Sequence, residues 1–292
     1  TGGAGFIGSH LTERLLGEGF QVTVLDDLSS GKRENLPTSQ RLQLLVGDIN
    51  DRRLVEEALA GCSTVFHLAA VASVQASVDD APRTHHANLT GTITLLEAAR
   101  AQGVGEFVLA SSAAVYGDTQ EQPIREETTP RPLSPYAADK LASEHYLAHY
   151  HRQGWLRGRA FRFFNVFGPR QDPSSPYSGV ISIFAERAGR GAGVTIFGDG
   201  RQSRDFIYVK DVTAILAAST DWTAPAELQP INIGRGERVD LLELLEAIEG
   251  VTGREVERTF AAERPGDIRH SQADNSLLRD HWQDSFTPFE AG

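Results

Sequence analysis

A tyrosine and a lysine lie four residues apart at the start of a predicted helix. Tyr136 and Lys140 follow Ser134 and Pro135, which suit the N-cap and the first helical position. Residues four apart share one helix face, so both side chains point at the same place. Ionising a tyrosine of pKa ~10 at pH 7 costs roughly 4 kcal/mol. Attraction to a lysine ammonium about 5 Å away offsets about 3 kcal/mol of that cost at an effective dielectric of ~20. The pair predicts a tyrosine that works as a base. The alternative is a packed tyrosine beside a surface lysine, because this spacing also recurs by chance.

Two serines, Ser111 and Ser112, stand at the end of a strand predicted over residues 107–111. At the ligand edge of a parallel sheet, a serine hydroxyl can bridge a substrate hydroxyl and the oxygen of a catalytic tyrosine. The alternative is a polar cap on the strand end.

Three glycines, Gly2, Gly5 and Gly8, precede and open a helix predicted over residues 6–16. Glycines permit a tight turn and a close approach of backbone to a pyrophosphate, and a helix N-terminus offers free N–H groups and positive dipole charge. Glycine clusters before helices are common, so this spacing alone is a weak signal.

Acidic residues end the next two predicted strands. Asp26 stands about 20 residues after the glycines, where a carboxylate can bind the ribose 2′-hydroxyl of NAD. A 2′-phosphate would be repelled by Asp26 and Asp27, so the sequence favours NAD over NADP. Asp48 is a third candidate, at the adenine. The alternative is that these acids are solvated turn residues.

Strands and helices alternate along the first part of the chain. Strands are predicted over 21–25, 42–46, 64–68, 107–111 and 159–164, with helices over 6–16, 52–60, 83–102 and 136–151. This alternation predicts an α/β fold of the Rossmann type, a doubly wound parallel sheet with helices on both faces. Shorter elements follow Asn165, with strands predicted over 194–197 and 231–233 and helices over 180–190, 210–219 and 241–251. We therefore expect an NAD-binding domain over 1–165 and a smaller α/β region over 166–292 that mainly binds substrate.

Composition excludes several classes of protein. The chain has 292 residues, a net charge of −11, 40 % hydrophobic residues and one cysteine, Cys62. The acidic balance argues against a nucleic-acid or acidic-membrane surface, and no internal disulfide is possible. No apolar run approaches the roughly 18 residues of a membrane span. We therefore expect a cytoplasmic protein with no nucleic-acid or membrane partner.

Together these residues resemble the extended short-chain dehydrogenase/reductase superfamily, and within it the UDP-sugar 4-epimerases. The resemblance covers nearly the whole chain and is carried in order by Thr1–Gly8, Gly47-Asp48-Ile49, His67-Leu68-Ala69-Ala70, Asn88, Ser111–Gly117, Tyr136–Lys140, Phe164–Arg170, Arg204-Asp205-Phe206 and Arg264-Pro265-Gly266-Asp267. It implies NAD as cofactor, a UDP-sugar as substrate, and inversion at C4 through a transient 4-keto sugar.

The resemblance also implies roles for individual residues. Tyr136 removes the proton of the sugar 4-hydroxyl, Ser112 is the catalytic serine, and Lys140 holds the nicotinamide ribose and lowers the pKa of Tyr136. The cofactor is expected to contact Gly2, Gly5, Phe6, Ile7, Gly8, Asp26, Asp48, Ile49, Leu68, Ala69, Ala70, Asn88, Ser111, Tyr136, Lys140 and Phe163. The substrate is expected to contact Ser73, Ser112, Tyr136, Asn165, Val180, Thr195, Phe197, Arg204, Arg264, Asp267 and Ser271. Among these, Asn165 should touch the diphosphate, Thr195 and Phe197 should flank the uracil, and the two arginines and Asp267 should hold the phosphates and uridine ribose.

This chain differs from two related families at the residues after Ser112, and the differences limit which reaction it is expected to catalyse. The similar 4,6-dehydratases carry Thr-Asp-Glu where this chain has Ser112-Ala113-Ala114, and the related decarboxylases keep a Glu at the position of Ala114. Alanine transfers no proton, so elimination and decarboxylation are disfavoured, and epimerisation remains. Other nucleotide sugars, such as UDP-glucuronate or UDP-xylose, and a non-catalytic dinucleotide sensor stay as alternatives.

The size of sugar that the site can accept is expected to depend on Ser271, which lies seven residues after Arg264. In the resembling family a tyrosine at this position restricts the pocket to UDP-glucose and UDP-galactose, whereas a small residue leaves room for a 2-N-acetyl group. Ser73 could contact the acetamide. We therefore expect UDP-N-acetylglucosamine and UDP-N-acetylgalactosamine to be accepted. The alternative is that Ser271 is merely small and the gate lies elsewhere.

Three further expectations concern assembly, metals and the chain ends. The helices over 83–102 and 136–151 resemble those that pair in a homodimer of this family. The histidines show no metal-site spacing, so no metal is expected. Because a pyrophosphate-binding glycine turn follows a strand and this chain begins at Thr1 with no Met, we expect a short apolar strand before that residue. The resemblance implies a last helix after Gly292.

Overall fold

The computed structural model describes residues 1–173, 179–263 and 268–292. The strands are β1 (Val22–Asp26), β2 (Leu42–Val46), β3 (Thr64–His67), β4 (Glu106–Ser112), β5 (Arg157–Phe163), β6 (Asn165–Phe167), β7 (Val194–Phe197), β8 (Ser203–Arg204), β9 (Phe206–Tyr208), β10 (Ile231–Ile233), β11 (Val239–Asp240), β12 (Arg258–Ala261) and β13 (His270–Ser271). The helices are α1 (Phe6–Gly17), α2 (Arg52–Leu59), α3 (Val74–Asp79), α4 (Ala81–His85), α5 (Gly91–Gln102), α6 (Pro135–Arg152), α7 (Val180–Gly189), α8 (Val209–Ala218), α9 (Leu241–Thr252) and α10 (Ser276–His281).

Parallel strands form the centre of the molecule. Strands β1 and β2 pair with each other, and β3, β4, β5 and β10 form a second parallel set in the order β10-β5-β4-β3. The first two residues lie between these sets. The Thr1 amino group donates to the carbonyl oxygen of Phe66 at 2.8 Å, and the Gly2 amide donates to that of Leu25 at 2.9 Å. The expectation of a strand before Thr1 concerns residues outside this chain and stays a prediction.

Helices cover both faces of these strands, as the alternation of elements predicts. On one face α1 packs against α8, and on the other α2 packs against α5 and α5 against α6. Two separate apolar cores result. Leu95, Phe107 and Leu147 belong to the α5–α6 side, and Leu11, Phe161 and Ile215 belong to the α1–α8 side. Burial of these large side chains holds the helices on the sheet and fixes the loops at its carboxyl edge.

Shorter strands build the rest of the chain. Strand β6 pairs with β9 and β7 with β12, both in parallel, while β8 lies between antiparallel β11 and parallel β13. A third apolar core packs α7 and α9 against these strands. The predicted boundary at residue 165 does not separate two independent sheets, because β10 (Ile231–Ile233) pairs with β5 in the central sheet.

The helix predicted over residues 83–102 is continuous in the structure, from Ala81 to Gln102, with a π-helical turn inside it. The structure has α4, then a π-helical turn over His86–Thr90, then α5. The wide turn places the Asn88 side chain inward, where it accepts from the Val71 amide at 2.8 Å. At the start of α5 a Cβ on Gly91 would lie 2.3 Å from a side-chain carbon of Ile49, so the absence of a side chain at Gly91 lets Ile49 pack closely against the helix.

Across the described parts of the chain, no helix combines the length and the apolar character that crossing a membrane requires.

Candidate active site

The glycine turn has the close backbone contacts that its sequence predicts. Gly2 has a φ of +69°, and a Cβ there would lie 2.6 Å from the Ala69 nitrogen. A Cβ on Gly8 would lie 2.1 Å from the Gly2 oxygen. The next helix, α1, begins at Phe6 with no side-chain cap at Gly5. Its first N–H groups are therefore available to an anionic ligand, as a pyrophosphate site requires.

The Asp26 carboxylate fastens β1 to this turn. Asp26 is 6 % exposed, and its Oδ2 accepts from the Ala4 amide at 2.8 Å while its Oδ1 accepts from the Leu28 amide at 2.9 Å. Each carboxylate oxygen retains acceptor capacity for a ribose hydroxyl. Asp27 is exposed and instead accepts from the Ser29 amide and hydroxyl.

The loop after Asp27 is part of the cleft and is missing from the residues predicted by sequence. Ser29 and Ser30 line the cleft. The Lys32 amide and the Asn35 side chain both donate to the Ala4 oxygen, at 3.0 and 2.9 Å. These bonds hold the loop against the glycine turn. The signal in the sequence was the Ser29-Ser30-Gly31 run directly after the acidic pair.

One cleft of about 400 Å³ collects most of the predicted cofactor residues. It is lined by Gly2, Gly5, Phe6, Ile7, Gly8, Asp26, Asp48, Ile49, Leu68, Ala69, Ala70, Ser111, Ser112, Tyr136, Lys140 and Phe163. Sequence reasoning missed further lining residues, among them Val71, Ala72, Ala87 and Gln171. Asn88 is not a lining residue: it is 2 % exposed and positions the loop through Val71.

Ser112, Tyr136 and Lys140 meet at one end of this cleft. Ser134 caps α6 by accepting from the Ala137 amide at 3.2 Å, which sets the start of the helix. Lys140 donates to the Ala110 oxygen at 2.7 Å, and its Nζ lies 5.9 Å from the Tyr136 ring centroid. Ser112 accepts from the Ala114 amide at 3.2 Å and is hydrogen-bonded to Tyr136.

Burial governs the protonation of the tyrosine and the lysine. Burial raises the pKa of Tyr136, and the hydrogen bond with Ser112 opposes that rise. Burial also lowers the pKa of Lys140 from 10.5 to about 8, against the raising influence of the Asp139 and Glu144 carboxylates. Among the protein groups, desolvation of the phenolate has the largest effect on the pKa of Tyr136, and the expected lowering of that pKa by Lys140 with the cofactor bound stays a prediction.

Replacing Lys140 with methionine is expected to stabilise the fold while abolishing activity. The folded protein holds the Lys140 proton less tightly than the unfolded chain, which costs about 3 kcal/mol at pH 7. Loss of the bond to the Ala110 oxygen costs about 1–2 kcal/mol, so a net gain of about 1–2 kcal/mol in unfolding free energy remains. The gain should shrink as pH rises from about 8 to 10.5, because the lysine in the unfolded chain then also loses its proton. Denaturant unfolding of both proteins across this pH range checks the prediction. A difference in unfolding free energy between them that does not change with pH would contradict it.

The predicted substrate residues are scattered beyond the cleft lining. Ser73 is the N-cap of α3 and accepts from the Ala76 amide at 3.0 Å. Strand β7 carries Thr195, which is exposed, and Phe197, which is half-buried. Asn165 begins β6 and is exposed, and Val180 begins α7. Of the substrate residues that the structure describes, Ser112 and Tyr136 line the cleft, whereas these five lie on other elements.

Arg204 and Ser271 are brought together by strand pairing. They are direct partners in the parallel β8–β13 ladder. Arg264 and Asp267 lie outside the described residues. Next to Arg204, the buried Asp205 accepts from the amides of Arg235 and Gly236 at 2.8 and 2.9 Å, and burial raises its pKa to about 6. Asp205 therefore anchors this corner rather than facing ligand.

The sequence profile of the NAD dependent epimerase/dehydratase family matches residues 1–234. The chain belongs to this family. It is 41 % identical over 290 residues to a UDP-glucose 4-epimerase of Mycolicibacterium smegmatis, covering 97 % of this chain and 92 % of that protein.

Solved structures agree with this assignment. A UDP-N-acetylglucosamine 4-epimerase from Methanobrevibacter ruminantium in complex with UDP-N-acetylmuramic acid is 40 % identical, with a TM-score of 0.92 over 99 % of this chain and 91 % of that one. A UDP-glucose 4-epimerase from Thermus thermophilus in complex with NAD is 40 % identical, with a TM-score of 0.91 over 100 % of this chain and 94 % of that one. The predicted superfamily, the Rossmann-type fold and the NAD-dependent epimerase activity are thereby confirmed.

The cleft fits the NAD cofactor of the family. The absence of side chains at Gly2 and Gly8 lets the turn pack closely against the backbone of Ala69 and of the turn itself, beside the uncapped start of α1, where a pyrophosphate can be bound. Asp26 stands at the end of β1 with acceptor capacity for the ribose. These residues would hold the adenosine half, and Lys140 and Tyr136 would hold the nicotinamide half.

Proposed function

We propose that this chain inverts C4 of a UDP-hexose. The observation that carries the proposal is the meeting of Ser112, Tyr136 and Lys140 at the end of the cofactor cleft. No acid follows Ser112, since residues 113 and 114 are both alanine. A site that can oxidise and reduce one carbon, but has no extra proton donor here, fits epimerisation better than elimination.

The residues divide the work of the reaction. Tyr136 takes the proton of the sugar 4-hydroxyl, and Ser112 bridges that hydroxyl and the phenol oxygen. Bound NAD⁺ supplies the acceptor and donor of the C4 hydride. Because burial raises the pKa of Tyr136, the phenolate requires nearby positive charge, which Lys140 and the nicotinamide ring provide. After the 4-keto sugar turns over, Tyr136 returns the proton.

Mixing the purified protein with four UDP-sugars tests this proposal. UDP-glucose, UDP-galactose, UDP-N-acetylglucosamine and UDP-N-acetylgalactosamine are each incubated without added NAD, and C4 inversion is followed by proton NMR. Interconversion of at least one epimeric pair is expected. Absence of inversion in all four samples would overturn the proposal, and turnover of UDP-glucuronate alone would redirect it to another nucleotide sugar.

We further propose that the acetylated pair is among the substrates. Ser271 is small, half-buried and paired with Arg204 in the β8–β13 ladder. The relative from Methanobrevibacter ruminantium supports this range, because it is named as a UDP-N-acetylglucosamine 4-epimerase and is 40 % identical. The relative from Mycolicibacterium smegmatis supports UDP-glucose and UDP-galactose as a second pair.

Replacing Ser271 with tyrosine is expected to close the site to the acetylated sugars. The larger ring should lower kcat/KM for UDP-N-acetylglucosamine by at least tenfold and leave UDP-galactose turnover within about threefold, because only the acetylated sugar needs the lost space. Ser271→Ala is the matched control and should keep both activities. Unchanged turnover of the acetylated sugar by Ser271→Tyr would place the gate elsewhere.

We also propose that residues 1–165 mainly bind NAD and that residues 166–292 mainly bind the UDP-sugar. A separate proposal is that the enzyme is a homodimer. Exposed apolar side chains on neighbouring helices support the dimer: Tyr146 on α6 and Val74 and Val78 on α3. Light scattering coupled to gel filtration distinguishes a dimer from a monomer of 31.8 kDa.

A further inference from the structure

Helix α6 carries a third functional side chain in line with the tyrosine and the lysine. Tyr136, Lys140 and Glu144 are spaced by four residues, so they follow one another along one helix face. Glu144 is 4 % exposed. Ser111 donates to its Oε1 at 2.5 Å. The mechanism described above uses the first two of these side chains and leaves this buried carboxylate without a role.

Arg162 holds the Glu144 carboxylate in place. Its Nε donates to Oε1 at 3.0 Å and its Nη2 donates to Oε2 at 2.7 Å, which is a bidentate contact. Arg162 is itself 4 % exposed and is the direct strand partner of Ser111 in the β4–β5 ladder. Glu144 is therefore fixed on the helix that carries Lys140, and Arg162 on the strand that pairs with the one carrying Ser111.

Three consecutive residues at the end of β4 are held by these three side chains of α6. Lys140 donates to the Ala110 oxygen at 2.7 Å, Glu144 accepts from Ser111 at 2.5 Å, and Tyr136 is hydrogen-bonded to Ser112. Ser111 and Ser112 are joined by one rigid peptide unit. A bond that fixes the first hydroxyl therefore also restricts the position of the second.

We propose that Glu144 is a positioning residue for the epimerisation: held by Arg162, it fixes Ser111 and so keeps the Ser112 hydroxyl in contact with Tyr136. The inference rests on the proposed function, since it assigns Glu144 a part in that reaction. Glu144 does not itself line the cofactor cleft. Besides raising the pKa of Lys140, it reaches the site through Ser111, which lines that cleft. A displacement of about 1 Å in a catalytic group can cost about a hundredfold in rate.

Glutamine at position 144 disturbs the ion pair with Arg162 while keeping the volume of the side chain. Both carboxylate oxygens of Glu144 accept from N–H groups of Arg162. Whichever way an amide at this position faces, its NH₂ group meets a donor of Arg162, and one of the observed bonds is lost. Ser111→Ala removes the hydroxyl that donates to Glu144 and leaves the ion pair between Glu144 and Arg162 intact.

The experiment is a double-mutant cycle of Ser111→Ala and Glu144→Gln on the NAD-containing enzyme. Steady-state kinetics are measured per folded protein, with thermal unfolding and NAD content recorded for each variant. The expected results are a kcat about ten- to a hundredfold lower for Glu144→Gln, a lower kcat for Ser111→Ala, and KM within about twofold in both. The double variant should lose no more than the worse single variant, because both changes act on the same chain of contacts from Arg162 through Glu144 to Ser111.

Ser143→Ala is the matched control. Ser143 is a buried serine on the same helix whose hydroxyl donates to the Asp139 carbonyl oxygen, and its kcat should stay within twofold of the wild type. Losses that multiply in the double variant, or a lowered unfolding temperature with unchanged kcat, would overturn the positioning role. If Glu144→Gln does not fold, Ser111→Ala decides alone, and an unchanged kcat there overturns it. Wild-type enzyme inactive on every UDP-sugar would instead overturn the proposed function.

Discussion

Tyr136→Phe is expected to lower kcat by about a thousandfold, with KM changed by less than about threefold. The ring and its packing remain, but the phenol oxygen that exchanges a proton with the sugar is lost. General acid–base catalysis by one side chain contributes about 10²–10⁴-fold. The fold should persist, because the hydrogen bond with Ser112 is a single contact of this buried phenol. Steady-state kinetics with the preferred UDP-sugar, together with thermal unfolding, provide the measurement.

Tyr146→Phe is the matched control for this change. Tyr146 lies on the same helix, α6, and is 43 % exposed. Its hydroxyl has no part in the proposed reaction, so kcat should stay within about twofold of the wild type. Retention of more than a tenth of the wild-type kcat by Tyr136→Phe would show that another group moves the proton.

Gly8→Ala is expected to yield a folded protein that no longer retains NAD. A Cβ at this position would lie 2.1 Å from the Gly2 oxygen and 2.8 Å from the Gly3 Cα. Both neighbours are backbone, so the turn must open to admit the methyl group. Because the turn provides the close approach to the pyrophosphate, we expect affinity for NAD to fall at least a hundredfold, or about 3 kcal/mol.

Gly17→Ala serves as the control for the glycine turn. Gly17 is the last residue of the same helix, and nothing lies within 4 Å of a Cβ placed there. The protein should keep its NAD and gain up to about 1 kcal/mol in stability. NAD content after gel filtration, read from absorbance, and isothermal titration compare the two variants. Stoichiometric NAD in purified Gly8→Ala would contradict the expected steric conflict.

The cofactor side of this protein can be predicted from sequence because its signals are local. The glycine turn, Asp26 and the spacing of Tyr136 and Lys140 each depend on a short stretch of chain, and all of these residues line the same cleft. Ser29 and Ser30 were missed, because their place is set by bonds from the following residues to the Ala4 oxygen. The local run Ser29-Ser30-Gly31 marks a loop, but it does not show these contacts.

The energetics of the site depend on features that spacing does not show. The spacing of Tyr136 and Lys140 indicates that the lysine charge offsets part of the cost of ionising the tyrosine, but it gives no sign of how deeply either side chain is buried. In the structure, burial raises the pKa of Tyr136 and lowers that of Lys140 to about 8. Likewise, two adjacent serines look equivalent in sequence, yet Ser112 contacts Tyr136 while Ser111 contacts Glu144.

The substrate side resists prediction from sequence for a different reason. Five of its residues lie on strands of two to four residues, whose pairing is set by contacts far apart in the chain: Asn165, Thr195, Phe197, Arg204 and Ser271. Strand β13 meets β8 across more than 60 residues, which brings Ser271 beside Arg204. Short strands carry little periodic signal, so β6, β8, β9, β11, β12 and β13 were not predicted, although β7 and β10 were.

The central claim is that C4 is inverted by removal and return of one hydrogen on a retained NAD. The most direct test uses UDP-glucose carrying deuterium at C4, incubated with the enzyme in ordinary water without added NAD. The product is analysed by NMR and mass spectrometry. The account predicts UDP-galactose that keeps the deuterium at C4. Inversion with loss of the label to water would contradict the account, as would a failure to invert any of the four UDP-sugars.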